Sequence, residues 1–118
     1  MRSNTFRDLN VWQRSRRLVS AIYLATKAFP KEEMYGLTNQ LRRAAVSVPS
    51  NIAEGHRRGT PKEFKQFLII ARGSLAEIET QLTLSQDIEY LDEPTTTNLI
   101  KEVDEIGKML NGLIKSIS

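Results

Sequence analysis

Apolar positions recur at spacings of three and four residues along nearly the whole chain, and no segment alternates apolar with polar residues. This spacing places apolar side chains on one face of a helix, so the sequence predicts helices rather than strands. Breaks in the pattern give helices over about residues 8–28, 36–58, 61–88 and 94–117. Short connections favour an all-α fold, an antiparallel up-down-up-down four-helix bundle forming a single domain over residues 1–118.

Each helical pattern contains one stripe of mainly apolar residues that we expect to face a common core. The stripes are Val11, Ser15, Leu18, Ile22 and Thr26; Leu37, Leu41, Ala45, Val48 and Ile52; Phe64, Phe67, Leu68, Ala71, Leu75, Ile78 and Leu82; and Leu99, Val103, Ile106, Leu110, Leu113 and Ile117.

Two local sequence signals add detail to the predicted second and third helices. Thr60, Pro61 and Glu63 form a capping box with proline at the first helical position, which predicts the start of the third helix. Pro49 stands inside the second pattern, where proline removes a backbone hydrogen bond and crowds the preceding turn. Because the apolar stripe keeps its register over residues 48–52, we expect one continuous helix with a kink at Pro49.

Composition narrows the class of protein. The 118 residues are 40% apolar and 26% charged, as in ordinary soluble domains. The absence of cysteine excludes a disulfide framework, a thiolate metal site and a cysteine nucleophile. The N-terminal segment lacks the apolar run of a signal peptide, and no segment has the roughly 18 apolar residues that span a bilayer. We expect a cytoplasmic protein without membrane association.

Charge is distributed unevenly, although the net charge is only +3. Residues 1–59 hold eleven Lys and Arg against four Asp and Glu, a net +7, whereas residues 60–118 hold six against ten, a net −4. Nine of the eleven are arginine, whose planar guanidinium matches phosphate oxygens. The pattern indicates either an electropositive surface or two halves that pack side by side or neutralise each other between subunits.

The arginines of the first half are the candidate contacts for a nucleic-acid backbone. Solvent-exposed helix surface without a partner is the alternative for each of them. The candidates are Arg14, Arg16, Arg17, Arg42, Arg43, Arg57 and Arg58.

A polar stripe opposite the apolar face of the second helix is a candidate interface or ligand-binding stripe. It consists of Arg43, Ser47, Asn51 and Glu54, which share a helix face. Catalysis is not expected, because Ser47 lacks an adjacent base and the only histidine, His56, is nine residues further on, at the expected exposed end of the helix. Since no ligand spacing suits a metal and no glycine-rich phosphate loop is present, we expect a non-enzymatic protein without metal or cofactor.

Short motifs in a fixed order extend over more than half of the chain. They are Asp8-Leu9, Val11-Trp12-Gln13, Phe29-Pro30 with Glu33, Tyr35-Gly36-Leu37, the run over residues 40–55, Phe64, Phe67-Leu68, Ala71-Arg72-Gly73-Ser74-Leu75 and Glu77. By these motifs the chain resembles the four-helix-bundle proteins encoded in intervening sequences of bacterial 23S ribosomal RNA genes. One departure is Glu89, where the family usually has a glycine that caps the third helix.

The resemblance implies a ring-shaped homopentamer associated with nucleic acid. Related accessory proteins of diversity-generating retroelements are basic pentameric barrels that hold RNA or DNA and contact a reverse transcriptase. Independently of the resemblance, aliphatic and small residues away from the main stripes either support oligomerisation or are ordinary surface aliphatics. They are Ala21, Leu24, Ile69, Ile70 and Ala76.

Two functional hypotheses follow. In the first, an oligomeric bundle binds structured RNA or DNA through its arginine clusters without reading sequence. In the second, the ring is a protein-interaction scaffold that docks a partner enzyme and has no direct role with nucleic acid.

Overall fold

The computed structural model describes residues 5–117, which contain four α-helices and no strand. Short 3₁₀ turns, Phe6–Asp8 and Lys31–Glu33, precede the first two helices. The prediction of an all-α fold is confirmed. The helices are α1 (Asn10–Thr26), α2 (Leu37–Arg57), α3 (Pro61–Asp87) and α4 (Glu93–Ser116).

The helices form a closed arrangement in which α1 contacts α2 and α4, and α3 contacts α2 and α4. The most extensive contact joins α2 to α3, and these two helices run antiparallel. Gln40 meets Gln81, Ser47 meets Ser74, and Arg58 meets Glu63. The 27-residue α3, about 40 Å long at 1.5 Å per residue, accounts for most of the 43 Å length of the molecule.

The core consists largely of the predicted stripes. All five residues predicted for α1 are buried, as are four of the five predicted for α2. The predicted residues at helix ends are only partly covered, because fewer neighbouring side chains reach them. These are Leu37, Phe64, Phe67, Leu113 and Ile117.

Helix α2 continues through Pro49 as a single α-helix, as the register of its apolar stripe predicts. The kink at Pro49 stays a prediction. The start of α3 is also confirmed, since the Thr60 hydroxyl accepts a hydrogen bond from the Glu63 amide at 3.2 Å. Together these features connect α2 to α3 through a tight turn that includes Gly59, whose φ is +88°.

The predicted start of the first helix at residue 8 was too early. The Asp8 and Leu9 amides instead bond to the Thr5 and Phe6 carbonyls, which closes a 3₁₀ turn. Leu9 then has extended backbone angles and acts as N-cap for α1. This turn folds the N-terminal segment against α2.

Glu33 connects three elements at the start of α2. One carboxylate oxygen accepts the Leu37 amide at 3.0 Å, and the other accepts the Tyr90 hydroxyl at 3.0 Å. A Cβ at Gly36 would lie 2.7 Å from the first of these oxygens. Gly36 therefore permits an acidic side chain from the preceding 3₁₀ turn to cap the helix.

The end of α3 adopts the geometry that usually selects glycine. Glu89 has a φ of +66°, in the left-handed region. Its amide bonds to the Gln86 carbonyl at 2.9 Å, and the Tyr90 amide bonds to the Ser85 carbonyl at 2.8 Å, as in a Schellman motif. The cap forms although glutamate stands where glycine was expected, and it does so with backbone strain.

Replacing Glu89 with glycine should stabilise the protein by about 0.5–1 kcal/mol, because glycine adopts a positive φ without steric cost. Urea denaturation of both proteins measures the difference. Glu79→Gly is the matched control, since the same change in the exposed middle of α3 should destabilise by about 1 kcal/mol. A destabilising effect of Glu89→Gly would contradict the assigned strain.

None of the helices between residues 5 and 117 is both long and apolar enough to cross a membrane.

Candidate nucleic-acid interface

Helix α1 carries only positive charge. Its three charged residues lie within four positions: Arg14 and Arg17 share one side of the helix, and Arg16 points elsewhere. α2 adds Arg42, Arg43 and, at its end, a further arginine pair. The fold gives these arginines different surroundings, so they cannot all serve the same purpose.

Arg14 points toward α4 and forms a two-point ion pair with Glu102. Its Nε and Nη2 atoms donate to the two carboxylate oxygens at 2.8 and 2.9 Å. The hydrogen bond from Arg14 is the main cause that holds the pKa of Glu102 below its ordinary value, and the same bond raises the pKa of Arg14. The pair joins the first and last helices, so Arg14 is occupied within the bundle.

The ion pair should stabilise the bundle at neutral pH and not in acid. Because the folded-state pKa of Glu102 is depressed, its contribution is complete above the unfolded value of 4.5 and is lost as the pH falls through the folded value. Both side chains are 33% exposed, which limits the contribution to about 1 kcal/mol.

We expect Arg14→Met to lower the free energy of unfolding by this amount at pH 7 and by much less at pH 3. Urea denaturation at the two pH values measures the difference. An equal loss at both pH values would show that Arg14 acts through packing alone.

Arg58 and Arg42 are also engaged within the subunit. Arg58 pairs with Glu54 at 2.8 Å and approaches Glu63 at 3.9 Å. Arg42 donates to the Thr26 hydroxyl at 2.9 Å, and its guanidinium lies 4.5 Å from the ring centroid of Tyr23. These contacts link α2 to α3 and to α1, and they leave less donor capacity for a ligand.

The other candidate arginines remain available. Arg16, Arg17, Arg43 and Arg57 are exposed, and none is within 4.0 Å of a carboxylate oxygen among residues 5–117. Arg17 contributes to the lowered pKa of Glu102 through its charge. Four of the seven predicted arginines are thus exposed without a carboxylate partner among residues 5–117, and their role in binding stays a prediction.

Arginines converge on two aromatic rings at the start of α1. Phe6 and Trp12 pack edge to face with centroids 5.1 Å apart. The guanidinium of Arg16 lies 5.5 Å from the Trp12 ring, that of Arg57 lies 5.4 Å from the Phe6 ring, and that of Arg7 lies within 5.8 Å of both. We call these five residues the arginine–aromatic cluster. The cation–π contacts place three guanidinium groups around the two packed rings, and none of the three forms an ion pair among residues 5–117.

Three members of this cluster are absent from the sequence-based candidates: Trp12, which lies on α1 beside the apolar stripe and was expected in the core, and the preceding residues Phe6 and Arg7. Helical periodicity does not reveal Phe6 and Arg7, because they belong to a 3₁₀ turn that returns the chain to α2. The Gln13 side chain fixes the turn by donating to the Arg7 carbonyl at 2.8 Å. The one sequence signal is the pairing of an aromatic and a basic residue directly before the helix.

The polar stripe of α2 faces α3. The Ser47 hydroxyl lies 2.8 Å from the Ser74 hydroxyl, and the Asn51 amide donates to both the Ser47 carbonyl and hydroxyl. Glu54 pairs with Arg58, while Arg43 is exposed and lines a surface pocket with Ser47 and Ser74. The Ser47 hydroxyl therefore joins α2 to α3, Asn51 supports it from within α2, and Arg43 is the exposed member of the stripe without a carboxylate partner among residues 5–117.

Residues 5–117 contain no group of three or more His, Cys, Asp or Glu side chains that could hold a metal ion. His56 is half-buried, with its ring edge-on to Phe64 at 5.6 Å, rather than at an exposed helix end as the sequence predicts. The cause is the close approach of α3 to the end of α2. Ser47 bonds to Ser74 and Asn51.

Comparisons with known proteins identify a family and a similar fold. The family described as 23S rRNA-intervening sequence protein matches residues 7–112. A crystal structure from Bacteroides thetaiotaomicron, of a protein with unknown function from the S23 ribosomal protein family, has a TM-score of 0.80 and 24% identity. The match covers 89% of this chain and 98% of that one. Comparison with curated proteins gives no significant match.

Proposed function

The chain belongs to the 23S rRNA-intervening sequence protein family, and from the arginines that its fold leaves without carboxylate partners we propose that it binds nucleic acid. The proposed ligand is the backbone of structured RNA or DNA. The proposed role is non-enzymatic. Neither the family description nor the similar structure indicates an enzyme.

The observation that carries the proposal is the contrast between paired and unpaired arginines. Arg14 and Arg58 are balanced by glutamates within the bundle, whereas Arg16, Arg43 and Arg57 are exposed without such partners in the described part of the chain. An unpaired guanidinium on a helix surface can bind phosphate oxygens in a two-point contact. Since each such contact releases a counterion, affinity should depend strongly on salt and little on sequence.

We also propose that copies of the chain associate into a closed ring, with five subunits as the resemblance implies. The outer face of α3 supports association, because it exposes aliphatic residues beside small ones. Ile70, Leu84 and Ile88 are about half-exposed at 52%, 48% and 49%. Ile69 and Ala76 are exposed as predicted, and so is Leu24 on α1, whereas Ala21 packs partly against the core. A ring would multiply each unpaired arginine by the number of subunits.

Salt titration tests the proposed function. If four arginines each neutralise one phosphate, the affinity for a hairpin RNA should fall about 100-fold between 50 and 200 mM salt. Fluorescence anisotropy of a labelled hairpin RNA measures this at each salt concentration. Affinity that does not change with salt would contradict the proposal. Absence of RNA binding, combined with a protein partner retained after nuclease treatment and in high salt, would favour the scaffold hypothesis instead.

A further inference from the structure

A groove between α1 and α2 lies beside the arginine–aromatic cluster. Its volume is about 410 Å³, within the range of small-molecule sites. Its walls are mostly apolar, with Trp12 and Val19 from α1 facing Pro49 and Ala53 from α2. Two hydroxyl groups, those of Ser20 and Ser50, stand at its edge. The groove therefore offers apolar walls with a few hydrogen-bonding groups beside them.

The charges around this groove have one sign. No Asp or Glu lines it, and Arg16 is part of its wall. The guanidinium groups of Arg57 and Arg7 lie beside the groove, because both contact the ring of Phe6, which is another wall residue. An apolar space with three guanidinium groups beside it suits a flat, apolar ligand attached to anions.

We propose that the groove takes one unstacked base of a single-stranded nucleic acid, with the adjoining phosphates on Arg16 and Arg57. This inference rests on the proposed function and adds a mode of recognition to it. Single-stranded bases bind proteins by packing against aromatic side chains and guanidinium planes, and this is tolerant of sequence. An aliphatic side chain from a second copy would fill the space but would bring no anion to the arginines.

Trp12 is the sole tryptophan and lines the groove, so its fluorescence reports occupancy directly. The experiment titrates the full chain with a labelled U-rich RNA loop of about eight nucleotides and with an abasic strand of equal length and charge. Anisotropy of the label measures binding, and Trp12 emission measures insertion. We expect the base-containing strand to quench Trp12 and to bind roughly tenfold or more tightly than the abasic strand.

Two variants that leave the charge unchanged test whether the quenching and the preference for bases arise in the groove. Ala53→Leu narrows the groove and should remove the quenching and the preference for bases while leaving the salt dependence unchanged. Ala28→Leu adds the same group to the exposed turn after α1, outside the groove and away from the outer face of α3, and should leave quenching and preference as in the unmodified protein.

The outcomes separate the two proposals. Equal binding of both strands without quenching would overturn the base site and leave backbone binding intact. No binding of either strand would overturn both. A change in native mass in Ala53→Leu, with base preference unaltered, would assign the groove to contact between subunits and overturn the base site.

Discussion

Exchanging Arg16, Arg43 and Arg57 together for glutamine should weaken binding of the protein to hairpin RNA by about 100- to 1000-fold at 50 mM salt. These three side chains are exposed and have no carboxylate partner within residues 5–117. Removing one phosphate-binding arginine should also reduce the slope of log affinity against log salt by about one. Anisotropy titrations at several salt concentrations measure both quantities.

A variant with the same loss of charge provides the control. Arg14, Arg58 and Arg72 are held by Glu102, by Glu54 and by Asn111, respectively. Replacing these three with glutamine removes the same net charge from sites that already have partners. We expect this variant to lose less than about tenfold in affinity. Equal losses in the two variants would show that net charge, rather than the unpaired arginines, governs binding.

Replacing Gly55 with alanine should destabilise the bundle by about 2 kcal/mol. A Cβ at this position would lie 2.5 Å from the Phe67 Cβ and 3.2 Å from an atom of the Phe64 ring. The Phe67 Cβ cannot rotate away, so α2 and α3 would have to separate near the ends that their turn joins. This steric cost outweighs the gain of about 1 kcal/mol that alanine offers in a helix.

Thermal and urea denaturation measure the loss of stability. Gly73→Ala is the matched control, because a Cβ at Gly73 meets nothing within 4 Å. That variant should gain up to about 1 kcal/mol from helix propensity alone. If Gly55→Ala were as stable as Gly73→Ala, the close approach of α2 and α3 at Gly55 would be wrong.

The fold could be predicted because the apolar periodicity is regular and because short local motifs mark where one helical pattern ends and the next begins. Leu41, Val48 and Ile52 are completely buried where the spacing in α2 places them. The continuity of α2 through Pro49 followed from the same register. The start of α1 was misplaced because Thr5 and Phe6 accept backbone bonds in a 3₁₀ turn, which has no periodic signature.

The candidate site was less accessible to sequence reasoning. Arg14 and Arg16 are two positions apart, yet Arg14 forms an ion pair and Arg16 forms none among residues 5–117. The difference depends on Glu102, which is 88 positions from Arg14 along the chain. Likewise, the convergence of Arg57 on Phe6 joins the end of α2 to the N-terminal turn. Such pairings depend on how the helices pack, and one sequence supplies no direct signal for them.

The most direct test of the central claim, that an oligomeric bundle binds nucleic acid through its unpaired arginines, is the native mass of the particle with and without hairpin RNA. We predict a closed assembly of five copies of the 13.4 kDa chain that gains the mass of the RNA in low salt and loses it after nuclease treatment. A particle whose mass is the same with and without RNA would contradict the claim of nucleic-acid binding. A 13.4 kDa monomer would contradict the claim of an oligomer.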